Sequence, residues 1–175
     1  MFVVQCGDFP RFPPSFPPIT ADKQQPNLKT QEVTGAMLYG RFEHTLDTKG
    51  RIFVPVKLRE KLGDTFIAAA VLDRCVSLYS TAEWESLLDK IASAPMAETR
   101  KLLRKITESA EDVTLDAQGR ILLNKNLIAH AGLEKPALII GAGRRAEIWN
   151  PAIYEETMAD MTDEKLEEEF IKYGF

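Results

Sequence analysis

Two short segments concentrate the side chains able to do chemistry. Leu46-Asp47-Thr48-Lys49-Gly50-Arg51-Ile52 recurs 69 residues later as Leu115-Asp116-Ala117-Gln118-Gly119-Arg120-Ile121. In each, a carboxylate stands four residues before a guanidinium, across a glycine able to take positive φ. Asp47 or Asp116 can accept hydrogen bonds from nearby backbone amides and so close a tight turn, with Gly50 or Gly119 at its bend. Arg51 or Arg120 then projects a planar fork of donors suited to guanine O6/N7 or to phosphate. The competing reading is that each Asp merely bridges its own Arg, worth about 0–1 kcal/mol at a surface.

Arg41, His44 and Lys49 stand close to Arg51 in the chain and complete a small basic cluster around the first motif. The second motif carries Gln118 where the first has Lys49, so the first copy is expected to dominate any contact with phosphates. His44 and His130 are the only histidines, and Cys6 and Cys75 the only cysteines. Neither histidine has a Cys, Asp or Glu at metal spacing, and no CxxC is present, so neither a metal nor a cofactor is expected. His44 reads as a hydrogen-bonding group near the motif, and His130 as an ordinary helix position. Gly141-Ala142-Gly143-Arg144-Arg145 reads as a β-turn with two solvated arginines, since no helix follows to make it a phosphate loop. No nucleophile elbow, Walker loop or HExxH stands in the chain, so neither an enzyme nor a small-molecule substrate is expected.

The elements that must position these residues are themselves repeated. In register with the motif, Leu58 matches Leu127 and Gly63 matches Gly132. Two strands are predicted to meet at each Asp–Gly turn. The strand after the turn leads into a short amphipathic helix, started by Pro55 in copy one and by Asn124 in copy two and stopped by Gly63 or Gly132. Paired strands follow, Thr65 to Val71 with Val76 to Tyr79, and Ala137 to Ile140 with Ala146 to Trp149. A helix capped by a Ser80/Glu83 box closes the first copy, and one capped by Asn150-Pro151, carrying Ile153, Met158 and Met161, closes the second. Between the copies, 97–109 reads as a basic amphipathic linker helix with Leu102, Leu103 and Ile106 on one face.

The formal net charge of −4 argues at first against a nucleic-acid partner, but it is unevenly spread. Residues 37–150 hold 17 Lys and Arg against 15 Asp and Glu, whereas residues 151–175 hold 2 against 8. The acidic excess is a C-terminal feature, expected to be a solvated helix. Residues 1–36 hold six of the ten prolines and show no helical or strand period, so they are expected to be a disordered extension ahead of a fold beginning at Met37. No apolar run reaches the roughly 20 residues of a transmembrane helix, so a soluble cytoplasmic protein with no membrane partner is expected.

The segment from Tyr39 to Arg51, taken with Asp116 to Arg120, resembles the MraZ family, whose mark is a DxxxR motif present twice. The likeness covers essentially residues 37–175. It implies an α+β fold of two tandem AbrB-like swapped-hairpin β units forming one pseudo-twofold β core with flanking helices. The first half would be 37–110, including the linker helix, and the second 111–175, including the C-terminal helix. It further implies a sequence-specific DNA-binding transcriptional regulator of the division and cell-wall gene cluster, reading G-rich direct repeats in double-stranded promoter DNA. A ring-shaped homo-oligomer associated with the nucleoid follows from the same likeness, and with it Arg51, Lys49, Arg41, His44 and Arg120 become the candidate DNA-binding residues. AbrB-like hairpins also occur in antitoxins, but those are usually single-copy with a disordered tail, unlike this duplicated chain.

Overall fold

The structure, a computed structural model, describes residues 37–175; the proline-rich extension 1–36 expected to be disordered lies outside the described residues. In the first copy, β1 (Leu38–Thr45), β2 (Arg51–Phe53), α1 (Val56–Leu62), β3 (Thr65–Ala69), β4 (Cys75–Ser80) and α2 (Thr81–Ala92) follow in order. After α3 (Met96–Glu108) the second copy repeats the plan with β5 (Glu111–Thr114), β6 (Arg120–Leu122), α4 (Lys125–His130), β7 (Pro136–Gly143), β8 (Arg145–Trp149) and α5 (Pro151–Met158), and α6 (Asp163–Lys172) ends it. The chain is α+β, two similar units in tandem.

The strands flanking each Asp–Gly turn do not form the local hairpin expected of them. A six-stranded antiparallel sheet runs β1-β7-β8-β4-β3-β5, and β2 pairs with β6 in a separate two-stranded ribbon. The opening strand of each copy thus leaves its neighbour and joins a strand of the other copy, β1 on β7 and β5 on β3. The sheet order is unchanged when the copies are exchanged, with Thr45 opposite Pro136 as Thr114 is opposite Thr65. The reason is ladder length. With β7, all eight residues of β1 find partners, whereas a hairpin across the turn would engage only the three of β2.

Period-two alternation explains the packing. From the ribbon, Ile52 and Ile121 point inward and are opposite one another. They meet Phe66, Leu78, Ile139 and Ile148 of the large sheet, with Leu58 of α1 and Leu127 of α4 at the sides, in one core. The sheet's other face is covered too. Ile67, Ala69 and Tyr79 pack beneath α2 and α3 through Trp84 and Ile106, and Cys75, Leu138 and Trp149 pack beneath α5. All six residues of β4 are therefore buried. Burial pushes the Cys75 thiol up to about 12, so it is an inert core group.

Capping follows the sequence in most places. Asn124 accepts from the Leu127 amide, Asn150 from the Ala152 amide, and Gly63 ends α1 at φ 92°. Four expectations are corrected. Ser80 accepts from the Glu83 amide, but the Glu83 carboxylate does not close the box; it takes Arg144 at 3.1 Å. Nor is Arg145 a solvated turn residue, because it binds the buried Glu147 at 2.7 Å, which also accepts from the Trp149 indole. On α3, Thr99 and Ile106 are the buried residues and Leu102 is 49 % exposed. Finally, the C-terminal helix stops at Met158, leaving Met161 outside, and Thr162 caps a new helix, α6. No helix among the described residues is long and apolar enough to cross a membrane.

The exchanged strand β1 needs a close approach at one point. Gly40 is opposite Gly141, and a Cβ at Gly141 would run into the Tyr39 backbone. Gly141→Val is expected to destabilise the fold by about 1–3 kcal/mol, as overpacking against unyielding backbone does, read as a lower urea midpoint with fast amide exchange along β1. An unchanged midpoint would contradict the placement of β1 on β7.

Candidate nucleic-acid interface

The two motifs build nearly the same turn. Asp47 Oδ1 accepts from the backbone amides of Lys49 (2.8 Å) and Arg51 (2.9 Å), and Gly50 donates its amide to the Asp47 carbonyl. Asp116 does likewise with Gln118 and Arg120, both at 2.9 Å, and with Gly119. Gly50 and Gly119 sit at φ 79° and 76°, the left-handed region that a side chain disfavours. The spacing of four then lets each arginine curl back on its own aspartate. Arg51 gives Nε and Nη2 to Asp47 Oδ2 at 2.7 Å each, and Arg120 does the same to Asp116 at 2.9 and 2.8 Å. Both readings of the motif are thus compatible. One edge of each guanidinium is held, which fixes its direction, while Nη1 has no partner among the described residues.

Ribbon register decides where these arginines stand. Arg51 is opposite Leu122 and Phe53 is opposite Arg120, so with Ile52 and Ile121 turned inward these four share the outer face. Leu122 is exposed, and the other three are half-buried. The turns lie at opposite ends of the ribbon, each tied to the strand exit of the other copy. The Leu123 amide donates to the Gly50 carbonyl at 2.9 Å and the Val54 amide to the Gly119 carbonyl at 3.0 Å.

Arg59 was invisible as a site residue in the sequence. Its guanidinium lies over the Phe53 ring at 5.0 Å and against Gly119, where a Cβ would collide with it. The matching residue of the second copy, Ile128, sits in the same way against Gly50. Each turn therefore carries two cations. Lys49 and Arg51 serve the first; Arg120 and the other copy's Arg59 serve the second, where Gln118 lacks a charge. The expected basic deficit of copy two is largely made good. One asymmetry remains, because Gln118 Oε1 accepts from Arg120 Nη2 at 2.9 Å, and Lys49 offers Arg51 no such acceptor.

The other predicted residues are distributed as follows. His44 makes a ring contact with Phe53, centroids 5.4 Å apart, in place of the expected hydrogen bond. That contact puts it beside the ribbon, and burial lowers its pKa. Arg41 is not brought to the turns; it pairs with Glu155 at 2.8 Å and covers the Tyr154 ring at 5.3 Å, anchoring α5. His130 is more than a plain helix position, since its Nε2 meets the Asp73 carbonyl at 2.9 Å and links the copies. Among the described residues no three His, Cys, Asp or Glu side chains group as a metal site.

The turn electrostatics give a testable sign. The Arg51 amide first, then the Arg51 guanidinium and the Lys49 amide, hold the Asp47 carboxyl below the usual range. For Asp116 the Arg120 side chain leads, followed by the Arg120 amide. Depressed carboxyls contribute stability above the ordinary aspartate value of about 3.9 and lose it as pH falls through the lowered folded value. A carboxyl-carbon NMR titration is expected to give midpoints below about 3.9 for both. Arg51→Ala should return Asp47 part of the way, its amide bonds remaining, and leave Asp116 unmoved. An ordinary midpoint for Asp47 in the unaltered protein would contradict the turn geometry.

A family model described as "MraZ protein, putative antitoxin-like" matches residues 37–105 and again 106–171. Among similar proteins, one from Thermoanaerobacter sp. (strain X514) is 40 % identical over 134 residues, spanning 75 % of this chain and 93 % of the relative. One from Acetivibrio thermocellus is 39 % identical over 142 residues, 79 % and 99 % of the two chains. One from Alkaliphilus oremlandii is 43 % identical over 126 residues, 71 % and 88 %. Each bears the name Transcriptional regulator MraZ.

Proposed function

The chain belongs to the MraZ family, and from that membership we propose that it is a transcriptional regulator that binds double-stranded promoter DNA through the outer face of the β2–β6 ribbon. It is not an enzyme, and it works in the cytoplasm at the nucleoid. The observation that carries the reading is the pair of aspartate-held arginines on one ribbon face, each with Nη1 unengaged among the described residues, and Arg51 with its whole outer edge free. A fork fixed on one edge loses little side-chain freedom when the other meets a base or a phosphate. Base contacts then supply specificity, and Lys49 and Arg59 supply phosphate attraction. His44 flanks this face, and Arg41 adds an outlying charge.

Family membership implies G-rich direct repeats in the promoter of the division and cell-wall genes as the operator, and a guanidinium matches guanine O6/N7 in the major groove. The halves that present the two turns are 37–110 and 111–175. A single chain offers few cations, with residues 37–150 only slightly basic. Several copies joined in a ring-shaped homo-oligomer would raise the effective concentration of turns along repeated sites.

The test is a fluorescence-anisotropy titration of a duplex carrying G-rich direct repeats against a scrambled duplex, at fixed salt. Arg51→Ala is expected to lose about 5- to 150-fold in affinity for the repeats, the range for one bidentate base contact. Lys49→Ala and Arg59→Met should weaken both duplexes alike and reduce the salt slope by about 1 each. Equal affinity for repeats and scrambled DNA, or an indifferent Arg51→Ala, would overturn the reading.

A further inference from the structure

The helix α6 leaves an apolar stripe without a partner. Leu166, Phe170 and Tyr173 fall at i, i+4 and i+7, one face of a helix, and are 46, 53 and 68 % exposed. No residue of α6 is buried. Carboxylates flank the stripe, with Asp163 and Glu167 on one side and Glu169 on the other. The two lysines of α6 are already engaged, Lys165 with Asp160 at 2.6 Å and Lys172 with Glu169 at 3.0 Å. A stripe of this kind fits a surface that is apolar and rimmed by cations.

A cationic face with an exposed apolar side chain at each margin stands on α3. Arg100, Lys101, Arg104 and Lys105 are exposed there, and among the described residues none has a carboxylate within salt-bridge distance. Met96 and Leu102 stand exposed beside them. On α1, by comparison, Lys61 is engaged with Met37 and Tyr39 and Arg59 with Phe53, which leaves Lys57 as its one exposed cation without a partner among the described residues.

We infer that α6 of one copy docks its acid-flanked apolar stripe on the basic face of α3 in a second copy. Charge selects this occupant. Pairing α6 with α6 would oppose five carboxylates with five others, and residues 1–36 carry three cations and three anions, so they offer no net complement. Because donor and acceptor are different surfaces of one chain, the contact is heterologous. Each copy keeps a free donor and a free acceptor until the series closes on itself. The inference rests on the self-association reading above and supplies its contact.

Charge reversal in the full chain tests it. One variant carries Arg100→Glu, Lys101→Glu and Arg104→Glu; another carries Asp163→Lys, Glu167→Lys and Glu169→Lys; a third carries both sets. Sedimentation velocity is expected to show the unaltered protein well above the 19.7 kDa of one chain and each single set shifted toward it. The third variant, and an equimolar mixture of the first two, should regain the assembly, which also shows that the single sets still fold. An assembly that keeps its mass in both single-set variants overturns the docking and leaves self-association standing. Unaltered protein sedimenting as one chain overturns both.

Discussion

Ile52 against Ile121 is the contact on which the rest of this architecture depends. Each is the middle residue of a three-residue strand, and each is almost wholly buried. A two-stranded ribbon this short is marginal by itself, so it persists because its inner face is driven into the core shared with the six-stranded sheet. That requirement forces the exchange. With β2 committed to β6, β1 is released to fill the edge beside β7, and β5 does the same beside β3. Neither copy can complete its own sheet.

The same commitment places the polar turns. The outer ribbon face is what remains once Ile52 and Ile121 face inward, so Arg51 and Arg120 share it by alternation alone. Each aspartate then converts a flexible arginine into a directed one. The carbonyl at the bend, Gly50 or Gly119, ties the turn to the other copy's strand exit, so the two guanidinium groups are held in fixed relation through the core. Arg59 and Ile128 show how duplicated halves diverge at matched positions while still supporting one another's turns.

Much of this could be read from the residues. The repeat, the Asp-to-amide turn, the caps at Asn124 and Asn150 and the stop at Gly63 all depend on neighbours within a few positions, where sequence and structure speak the same language. Partner choice was different. Nothing local to residues 46–52 tells β1 to leave β2, because the advantage lies in a ladder whose nearest rung, Thr45 opposite Pro136, joins residues 91 apart. Arg59 was missed for the same reason; its target, Gly119, belongs to the other half. Glu83 read as half of a capping box and Arg144 and Arg145 as solvated turn residues, yet the pairing of β4 with β8 brings Glu147 beneath Arg145 and the α2 start beside Arg144. Long-range pairing, more than local chemistry, was the hidden quantity.

The central claim, that the ribbon's outer face is the DNA-reading surface, is tested most directly by hydrogen–deuterium exchange with and without a saturating G-rich repeat duplex. The account predicts slowed exchange in residues 47–53 and 116–122, with the α3 amides unchanged. Protection confined to α3, with both turns exchanging as fast as in the free protein, would contradict it.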